Sequence, residues 1–342
     1  MILVTGGTGL VGTHLLYDLT RSGNKVRAVK RANSNIEKVK KVFSYYSSDP
    51  DNLLNNIEWV DADLLDIYSV LDVMTDVTEV YHCAAMVSFE KKHEAEMMKI
   101  NVEGTANMVN AALDKKISKF CHVSSIASLG RAENGGLTSE ETFWKSSPDN
   151  SNYSISKYAA EREVWRAAEE GLNVVIVNPS LIIGGGSWTQ SSSNMFSKAY
   201  KGIKFYSGGT NGFIDVRDVS AVMIQLMKSN ISGQRFVLNS ENASFRHYFD
   251  LIHEAFGKSK ARIKAGTFLS GFAWRAESIR SLLAGTAPLI TQETSRSAHR
   301  KSSFANTKIL KQFPDLKFIS LEQSVKDTCT LYLKDLSLAS KK

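Results

Sequence analysis

The sequence predicts an α/β fold with a doubly wound parallel sheet, and two patterns support this prediction. Short apolar runs rich in β-branched residues alternate with helical patterns along the first half of the chain. These runs are almost continuously apolar, as is expected of strands that are buried on both faces of a parallel sheet. The chain has 342 residues, of which 43% are hydrophobic and 23% charged, a length that suggests two domains. This composition excludes collagen-like, disordered and small disulfide-stapled proteins.

The individual strands and helices follow each other in a regular order. Two helices are expected to end at Gly23 and Gly171, because glycine suits the residue that terminates a helix. Strands are predicted at Met1–Thr5, Lys25–Val29, Ile57–Val60, Glu79–Cys83, Phe120–Ser124 and Val174–Val177. Helices are predicted at Val11–Ser22, Ile67–Met74, His93–Lys115 and Tyr153–Glu170.

The regular alternation weakens beyond Pro179. The run Gly184–Gly186 marks a loop where the chain is expected to leave the sheet. A strand–helix–strand pattern at Gly212–Asn239 then predicts a return to it. We therefore expect a nucleotide-binding domain of residues 1–182, with residues 212–240 returning to it. Residues 183–211 and 241–342 would form a smaller, mainly helical C-terminal lobe that binds the substrate.

The segment between the first strand and the first helix is rich in glycine. A glycine-rich turn lets the backbone approach a pyrophosphate closely, and the helix N-terminus adds unpaired N–H groups and a positive dipole. The three-residue spacing of the glycines differs from G-x-G-x-x-G, but the strand–turn–helix context favours a dinucleotide site over a turn without a ligand. The predicted phosphate contacts are Gly6, Thr8, Gly9, Leu10, Val11 and Gly12.

The turn after the second strand is expected to select the cofactor. An acidic residue there would favour NAD, whereas a 2′-phosphate requires cations. The sequence offers Lys30 and Arg31, with no carboxylate before Glu37. Because arginine can bind a phosphate through two parallel charged hydrogen bonds, we predict NADP(H) in preference to NAD(H). The alternative is a solvated basic turn.

A further cofactor contact is predicted just after the third strand. Asp63 and Leu64 follow that strand directly. The Asp63 carboxylate is placed to hold the adenine. The alternative is that Asp63 caps the next helix, since aspartate also suits a helix N-cap.

Three residues form the predicted catalytic set. Tyr153 and Lys157 are four residues apart on one predicted helix, and a nearby positive charge favours the phenolate form of a tyrosine. The same spacing occurs at Tyr200–Lys204, but Gly202 interrupts it in a loop-like region. Ser125 follows the fifth strand, at the sheet edge where ligands bind. Taken singly, the residues are better explained as a helix-start aromatic, a solvated lysine and a turn serine. The presence of all three behind a phosphate loop favours the catalytic set.

These motifs together resemble the extended short-chain dehydrogenase/reductase superfamily, also called the NAD-dependent epimerase/dehydratase family. The chain is most similar to its dihydroflavonol-reductase and 3β-hydroxysteroid-dehydrogenase-like branch. The resemblance implies a Rossmann-type fold and dimerisation. It also implies that Ser125, Tyr153 and Lys157 are catalytic, that Tyr153 and Lys157 also contact the cofactor, and that Arg31 meets the 2′-phosphate. Four further segments are similar to the family: Tyr81–Ala85, Asn101–Thr105, Asn178–Ile182 and Gly212–Asp218. In the first of them, Cys83, Ala84 and Ala85 would lie under the cofactor. In the third, Pro179 and Ile182 would close over the nicotinamide.

The leading hypothesis is an NADP(H)-dependent oxidoreductase that interconverts a carbonyl and an alcohol on a small organic substrate. In this interpretation Tyr153 moves the proton, Lys157 lowers the tyrosine pKa and contacts the ribose, and Ser125 polarises the carbonyl. An NAD-dependent nucleotide-sugar epimerase or dehydratase is the main alternative, disfavoured because the acidic residue after the second strand is missing. A non-catalytic dinucleotide sensor is disfavoured because Tyr153 and Lys157 are both present.

The positive charge is concentrated near the C-terminus. Of the formal net charge of +7, residues 255–342 hold 16 Lys and Arg against 6 Asp and Glu. The apolar stretch Phe268–Leu289 in this region includes Trp274, Arg275 and Arg280. It suits a solvated helical face best, and otherwise a lid, a cationic rim or a peripheral membrane contact. Its charged residues argue against a membrane span, and nucleic acid is not an expected partner.

Cysteine and histidine usage bounds the remaining possibilities. Cys83, Cys121 and Cys329 show no paired spacing, which fits a reducing compartment and argues against a disulfide framework. The seven histidines show no ligand spacing, so no metal is predicted. The opening residues predict a first strand and not a signal peptide, and the cytoplasm is the expected location.

Overall fold

The computed structural model describes residues 1–132, 135–190, 192–266, 274 and 291–340. Its centre is a seven-stranded sheet in which every neighbouring pair is parallel. The strands of this sheet and of two smaller ones, numbered along the described chain, are β1 (Ile2–Thr5), β2 (Val26–Lys30), β3 (Ile57–Asp61), β4 (Glu79–His82), β5 (Lys119–Val123), β6 (Val174–Pro179), β7 (Leu181–Ile183), β8 (Phe205–Tyr206), β9 (Thr210–Asp215), β10 (Gln234–Leu238), β11 (Glu241–Ser244) and β12 (Ile263–Lys264). The order in the sheet is β10-β6-β5-β4-β1-β2-β3.

This order positions a ligand site. The chain runs from β1 through β2 to β3 on one side and then crosses to β4 on the other side of β1. In such sheets, ligands bind at the carboxyl ends of the strands where the order reverses, which here is between β1 and β4. The predicted Rossmann-type fold class is confirmed. Two small sheets, β11-β9-β7 and β12-β8, lie outside it. The strands β8, β11 and β12 fall in segments predicted as mainly helical. Of the strand–helix–strand predicted to return to the large sheet, only β10 joins it, because β9 pairs with β7 and β11 instead.

The helices cover both faces of the sheet. They are α1 (Leu10–Arg21), α2 (Glu37–Tyr46), α3 (Pro50–Leu54), α4 (Ile67–Val73), α5 (Glu94–Met98), α6 (Gly104–Asp114), α7 (Asn152–Glu169), α8 (Asn194–Tyr200), α9 (Val216–Lys228), α10 (Phe245–Ala255), α11 (Gln292–His299), α12 (Thr307–Gln312) and α13 (Leu321–Ala339). None of the helices in the described ranges combines the length and apolar character needed to cross a bilayer.

Three helical regions of the first half differ from the prediction, one of them the short helix α3, where no helix was predicted. The single helix expected at 93–115 is divided by a π-helical turn, Lys99–Glu103, between α5 and α6. Helix α2 was not predicted, because its sequence is dominated by charged and aromatic residues. Its apolar side chains Val39, Val42 and Phe43 are nevertheless buried, so tertiary packing stabilises it.

The core lies in two layers, one on each face of the large sheet. On one face, Leu15 of α1 packs in a cluster with Met223 and Leu226 of α9. On the other, Met108 of α6 and Val164 of α7 belong to a second cluster. All five side chains are fully buried, and each contributes about 1.5–3 kcal/mol relative to exposure. These layers fix the strand ends that carry the site. The division into two domains remains a prediction.

Candidate active site

The loop between β1 and α1 is built so that only glycine fits at two positions. Gly6 has a φ of +67°, and a Cβ there would lie 2.7 Å from the backbone nitrogen of Ala84. A Cβ at Gly12 would overlap the carbonyl oxygen of Gly6. The loop is closed by a hydrogen bond from the Gly9 nitrogen to the Gly6 oxygen at 2.9 Å. The backbone therefore stays uncovered at the carboxyl end of β1.

The N-terminus of α1 has the chemistry of a phosphate site. Gly9 is its N-cap and supplies no side chain to accept hydrogen bonds from the first-turn amides. The groove beside it is lined by Thr8, Gly9, Leu10, Lys38, Gly185 and Gly186. Unpaired N–H groups, a helix dipole and a lysine suit a pyrophosphate, so these residues fit a bound dinucleotide. Sequence reasoning missed Lys38 because it lies on α2.

The two cations at the end of β2 and the start of the following turn have different surroundings. Lys30 donates from Nζ to Oδ1 of Asp61 at 2.6 Å, and its side chain is only 17% exposed. Arg31 is exposed, while its backbone nitrogen donates to the Ser34 hydroxyl at 3.1 Å. Lys30 thus already has a carboxylate partner on β3. Arg31 is the cation that this turn presents to solvent.

Asp63 and Leu64 lie in the turn between β3 and α4. Asp63 accepts a hydrogen bond from the Leu65 nitrogen at 3.0 Å, and the residue is exposed. The helix itself is capped by Asp66, which accepts from the Tyr68 nitrogen at 3.1 Å. The alternative in which Asp63 is the helix N-cap is therefore wrong. The Leu64 carbonyl accepts from the Asn107 side chain at 2.9 Å.

His82, the last residue of β4, anchors the start of the segment that follows this strand. The His82 ring lies 2.7 Å from the Thr5 hydroxyl and 3.1 Å from the Thr105 hydroxyl. The Ala84 nitrogen donates to the Thr5 hydroxyl at 3.2 Å, which ties the segment to β1. Burial raises the pKa of the Cys83 thiol to about 12, so this thiol is no nucleophile at neutral pH. The sequence analysis identified Cys83, Ala84 and Ala85 here but not His82.

Asn101 fixes the next stretch of the same wall. Its side chain accepts from the Met86 nitrogen at 2.7 Å and donates to the Met86 oxygen at 2.9 Å. The same amide lies 3.0 Å from the Ser156 hydroxyl of α7. Asn101 lies in the π-helical turn, a feature that occurs frequently at functional sites.

The structure brings the three predicted catalytic residues together. Ser125 follows β5, and Tyr153 and Lys157 occupy the first two turns of α7, which begins after the N-cap Ser151. The Tyr153 phenol lies close enough to the Ser125 hydroxyl for the two groups to interact. Lys157 is 3% exposed and donates from Nζ to the Val123 carbonyl at 2.8 Å. All three therefore meet at the carboxyl end of β5.

The electrostatics of this set differ from the expectation. Burial raises the pKa of Tyr153, and the hydrogen bond with Ser125 opposes that shift. The Lys157 ammonium was expected to lower the tyrosine pKa, but it is engaged with the Val123 carbonyl. Tyr153 is therefore protonated at neutral pH. Burial also lowers the pKa of Lys157 to about 8, with Glu161 and Cys83 acting in the opposite direction.

The tyrosine of the second Tyr/Lys pair packs in an aromatic cluster. Tyr200 lies at the end of α8, where its ring contacts Phe256 and Tyr332 with centroid distances of 5.2 and 5.3 Å. The ammonium of Lys258 lies 4.8 Å from the centre of the same ring. An aromatic cluster thus explains Tyr200.

The loop expected to close over the nicotinamide begins at β6 and β7. Pro179 ends β6 opposite Leu238 of β10. Ile182 belongs to β7, and its carbonyl accepts a hydrogen bond from the Ser192 hydroxyl. Ser193 donates to the Gly184 carbonyl at 2.9 Å, so two serines anchor the glycine run.

Known proteins identify the family. Residues 2–238 match the profile of the NAD dependent epimerase/dehydratase family. The chain belongs to this family, whose members are enzymes that bind NAD(P). A Synechocystis sp. protein provisionally named dihydroflavonol 4-reductase is 30% identical over 337 residues, which are 95% of this chain and 92% of that protein. Sterol demethylase protein B of Methylococcus capsulatus is 29% identical over 265 residues, 76% of each chain.

Solved structures share the fold of this chain. The crystal structure of gox2253 is 25% identical, with a TM-score of 0.79 and 98% of each chain covered. UDP-glucose 4-epimerase from Thermotoga maritima is 20% identical with a TM-score of 0.76, covering 98% of this chain and 99% of that one. At that identity the second likeness shows the shared fold alone.

Proposed function

We propose that this family member is an NADP(H)-dependent oxidoreductase that interconverts a carbonyl and an alcohol on a small organic substrate. The observation that carries the proposal is that Ser125, Tyr153 and Lys157 come together at the carboxyl end of β5. A protonated phenol beside a second hydroxyl is suited to donate a proton to a carbonyl oxygen. The reductase names among the relatives support an oxidoreductase in general.

The β1–α1 loop would hold the pyrophosphate of the cofactor. The N–H groups at the start of α1 and the neighbouring Lys38 supply the complementary charge. Arg31 is proposed to bind the 2′-phosphate because it is exposed, and Lys30, paired with Asp61, is proposed to add less. NADP(H) bound in this groove supplies or accepts a hydride at the substrate carbon.

The remaining roles belong to side chains of this chain. Tyr153 would donate its phenolic proton to the substrate oxygen during reduction, and the Ser125 hydroxyl would polarise that carbonyl. The phenolate left on Tyr153 would be stabilised by the Ser125 hydroxyl. We propose the ammonium of Lys157 as a ribose contact. With a pKa of about 8, that ammonium is mostly protonated at neutral pH.

The other predicted contacts complete the proposed cofactor site. We assign Asp63 and Leu64 to the adenine and the segment of Cys83, Ala84 and Ala85 to the middle of the cofactor. Pro179 and Ile182 are assigned to the nicotinamide end. A homodimer and a cytoplasmic location are part of the same proposal. The homodimer rests on the family resemblance, and the cytoplasmic location rests on the cysteine usage.

The test is NADPH consumption with a panel of aldehydes and ketones, followed at 340 nm. Tyr153→Phe should lower kcat by about 10²- to 10⁴-fold, the usual contribution of a general acid. NADPH binding by calorimetry should stay within about twofold of the wild type, because only the reacting hydroxyl is removed. Tyr68→Phe is the control, since Tyr68 is 76% exposed.

Two results would contradict the proposal. One is a Tyr153→Phe variant that consumes NADPH at the wild-type rate. The other is wild-type protein that retains NAD through purification and consumes no NADPH with any carbonyl. The second result would favour the epimerase/dehydratase alternative, in which the cofactor is reduced and reoxidised within one turnover.

A further inference from the structure

A buried carboxylate lies behind the proposed catalytic set. Glu161 is on α7, four residues after Lys157, and is 2% exposed. Its Oε2 lies 2.6 Å from the Ser124 hydroxyl, 2.6 Å from the Ser128 hydroxyl and 2.8 Å from the Asn178 amide nitrogen. Its Oε1 accepts from Arg235 at 2.9 Å and from Trp165 at 3.2 Å. Five side chains from four parts of the chain thus converge on one carboxylate.

Two of these side chains also reach Ser125. The Ser128 hydroxyl lies 2.7 Å from the Ser125 carbonyl oxygen, and the Asn178 amide nitrogen lies 3.1 Å from it. Ser128 and Asn178 are therefore shared between the Glu161 carboxylate and the Ser125 backbone. Because a buried network of this kind allows few alternative geometries, the position of Ser125 depends on the carboxylate.

The same carboxylate acts on Lys157 through its charge. The groups that face Lys157 are Glu161 on its own helix, Cys83 after β4, and His82 and His122 on β4 and β5. Burial keeps both histidines neutral, and the Cys83 thiol is protonated. Glu161 is thus the one anion among the groups that face Lys157 in the described part of the chain.

The carboxylate itself stays ionised. Burial alone would raise its pKa, but the hydrogen bonds from Ser124 and Ser128 and the charge of Arg235 outweigh burial and lower it. Arg235 on β10 is the cation that compensates the buried charge. An ionised, fully paired carboxylate can both orient dipoles and support a neighbouring ammonium.

We propose that Glu161 is a positioning residue for the reaction, whose carboxylate orients Ser125 through Ser128 and Asn178. This inference rests on the proposed function of Ser125, Tyr153 and Lys157. Glu161 itself touches neither substrate nor cofactor in this account. This positioning role explains why α7 carries a buried acid directly behind the predicted active site.

The test is the pH profile of kcat for Glu161→Gln, measured with NADPH and the carbonyl compound that the wild type reduces fastest. We expect kcat to fall by about 10- to 100-fold, since small misplacements of reacting groups have effects of this size, with KM for NADPH little changed. The alkaline limb should move to lower pH, because Lys157 loses its anionic neighbour. Glu163→Gln, on the same helix and paired with Arg166 at 3.0 Å, is the control.

A second variant separates the two effects. Ser128→Ala removes one shared hydroxyl but keeps the charge, so kcat should fall while the alkaline limb stays in place. A folded Glu161→Gln protein with the wild-type kcat and pH profile would overturn the inference. So would a Glu161→Gln protein whose melting temperature falls while its pH profile is unchanged. If Tyr153→Phe is inactive in the same assay, either result overturns this inference alone and leaves the proposed function standing.

Discussion

The carboxyl end of β5 and the turn after β2 differ sharply in how their charged groups are held. At β5, Lys157 is buried against a backbone carbonyl, and Glu161 behind it has five side-chain partners. At the turn, Arg31 is exposed and Lys30 is paired with Asp61. In the proposed function, the first region performs the chemistry and the second selects the cofactor. The comparison indicates that the reacting groups are fixed in advance, whereas the selecting cation is left free to meet its ligand.

After Tyr153→Phe, the largest effect is expected when the Ser125 hydroxyl is removed. Ser125→Ala deletes the partner of Tyr153 and the group proposed to polarise the carbonyl. By analogy with the loss of one preorganised donor, kcat should fall about 10²- to 10³-fold in steady-state assays. NADPH affinity should not change. Equal losses in kcat and in NADPH affinity would show that the end of β5 contributes to cofactor binding as much as to the chemistry.

The phosphate loop should be intolerant of one added methyl group. Gly12→Ala places a Cβ against the Gly6 carbonyl, so the loop or α1 must shift. We expect a loss of about 1–3 kcal/mol in the free energy of unfolding and weaker binding of both NADPH and NADH. Gly208→Ala is the control, because Gly208 does not line the groove and a Cβ there meets its nearest atom at 3.9 Å. Equal behaviour of the two variants in melting and titration experiments would contradict this account.

The two cations of the turn should differ in their effect on cofactor choice. Arg31→Ala should weaken NADPH binding by about 10- to 100-fold, the range for lost charge-assisted hydrogen bonds, and leave NADH binding nearly unchanged. Lys30→Ala should have the smaller effect, because Lys30 is already paired with Asp61. Calorimetric titration of both variants with both cofactors checks this. A larger effect for Lys30 would reverse the assignment.

Acid sensitivity should arise in the buried region. Burial holds the pKa of His122 well below its usual range and lowers that of His82 to about 3. Such histidines are neutral when folded and take up protons on unfolding, so their contribution to stability is lost as pH falls below about 6.5. In His122→Leu, unfolding free energy should depend less on pH there, by up to about 1.4 kcal/mol per unit.

A comparison with the wild type isolates this effect. Burial raises the pKa of Asp218 to about 6, so the folded protein binds this proton more tightly than the unfolded chain does. The contribution of Asp218 to the free energy of unfolding therefore grows as pH falls, in the opposite direction to that of the histidines. Asp218 is present in both proteins, and its contribution cancels in the difference. Denaturant unfolding between pH 5 and 8 is the measurement. Identical pH slopes for both proteins would show that His122 does not take up a proton on unfolding.

Sequence reasoning predicted the parts of the site that depend on local pattern. The strand–turn–helix context marked Gly6 and Gly12, and helical spacing paired Tyr153 with Lys157. Both predictions work because the relevant residues are close in sequence or follow buried strands. The predicted strands lie within two residues of the observed ones at most of their ends for the same reason.

The parts that escaped prediction depend on distant residues. Asn178 reaches the Ser125 carbonyl across 53 positions, and Arg235 reaches Glu161 across 74. The direction of the Tyr153 pKa shift also depends on burial and on Ser125, which helical spacing does not reveal. The stretch Phe268–Leu289, with Arg275 and Arg280, lies outside the described residues apart from Trp274, so its interpretations stay predictions.

The central claim is that this site takes NADP(H) and that the exposed Arg31 selects it. Titration of the purified wild-type protein with NADPH and with NADH tests this claim without knowledge of the substrate. We expect NADPH to bind at least about tenfold more tightly than NADH, which is the contribution of charge-assisted hydrogen bonds to a 2′-phosphate. Equal affinity for the two cofactors, or tighter binding of NADH, would contradict this claim.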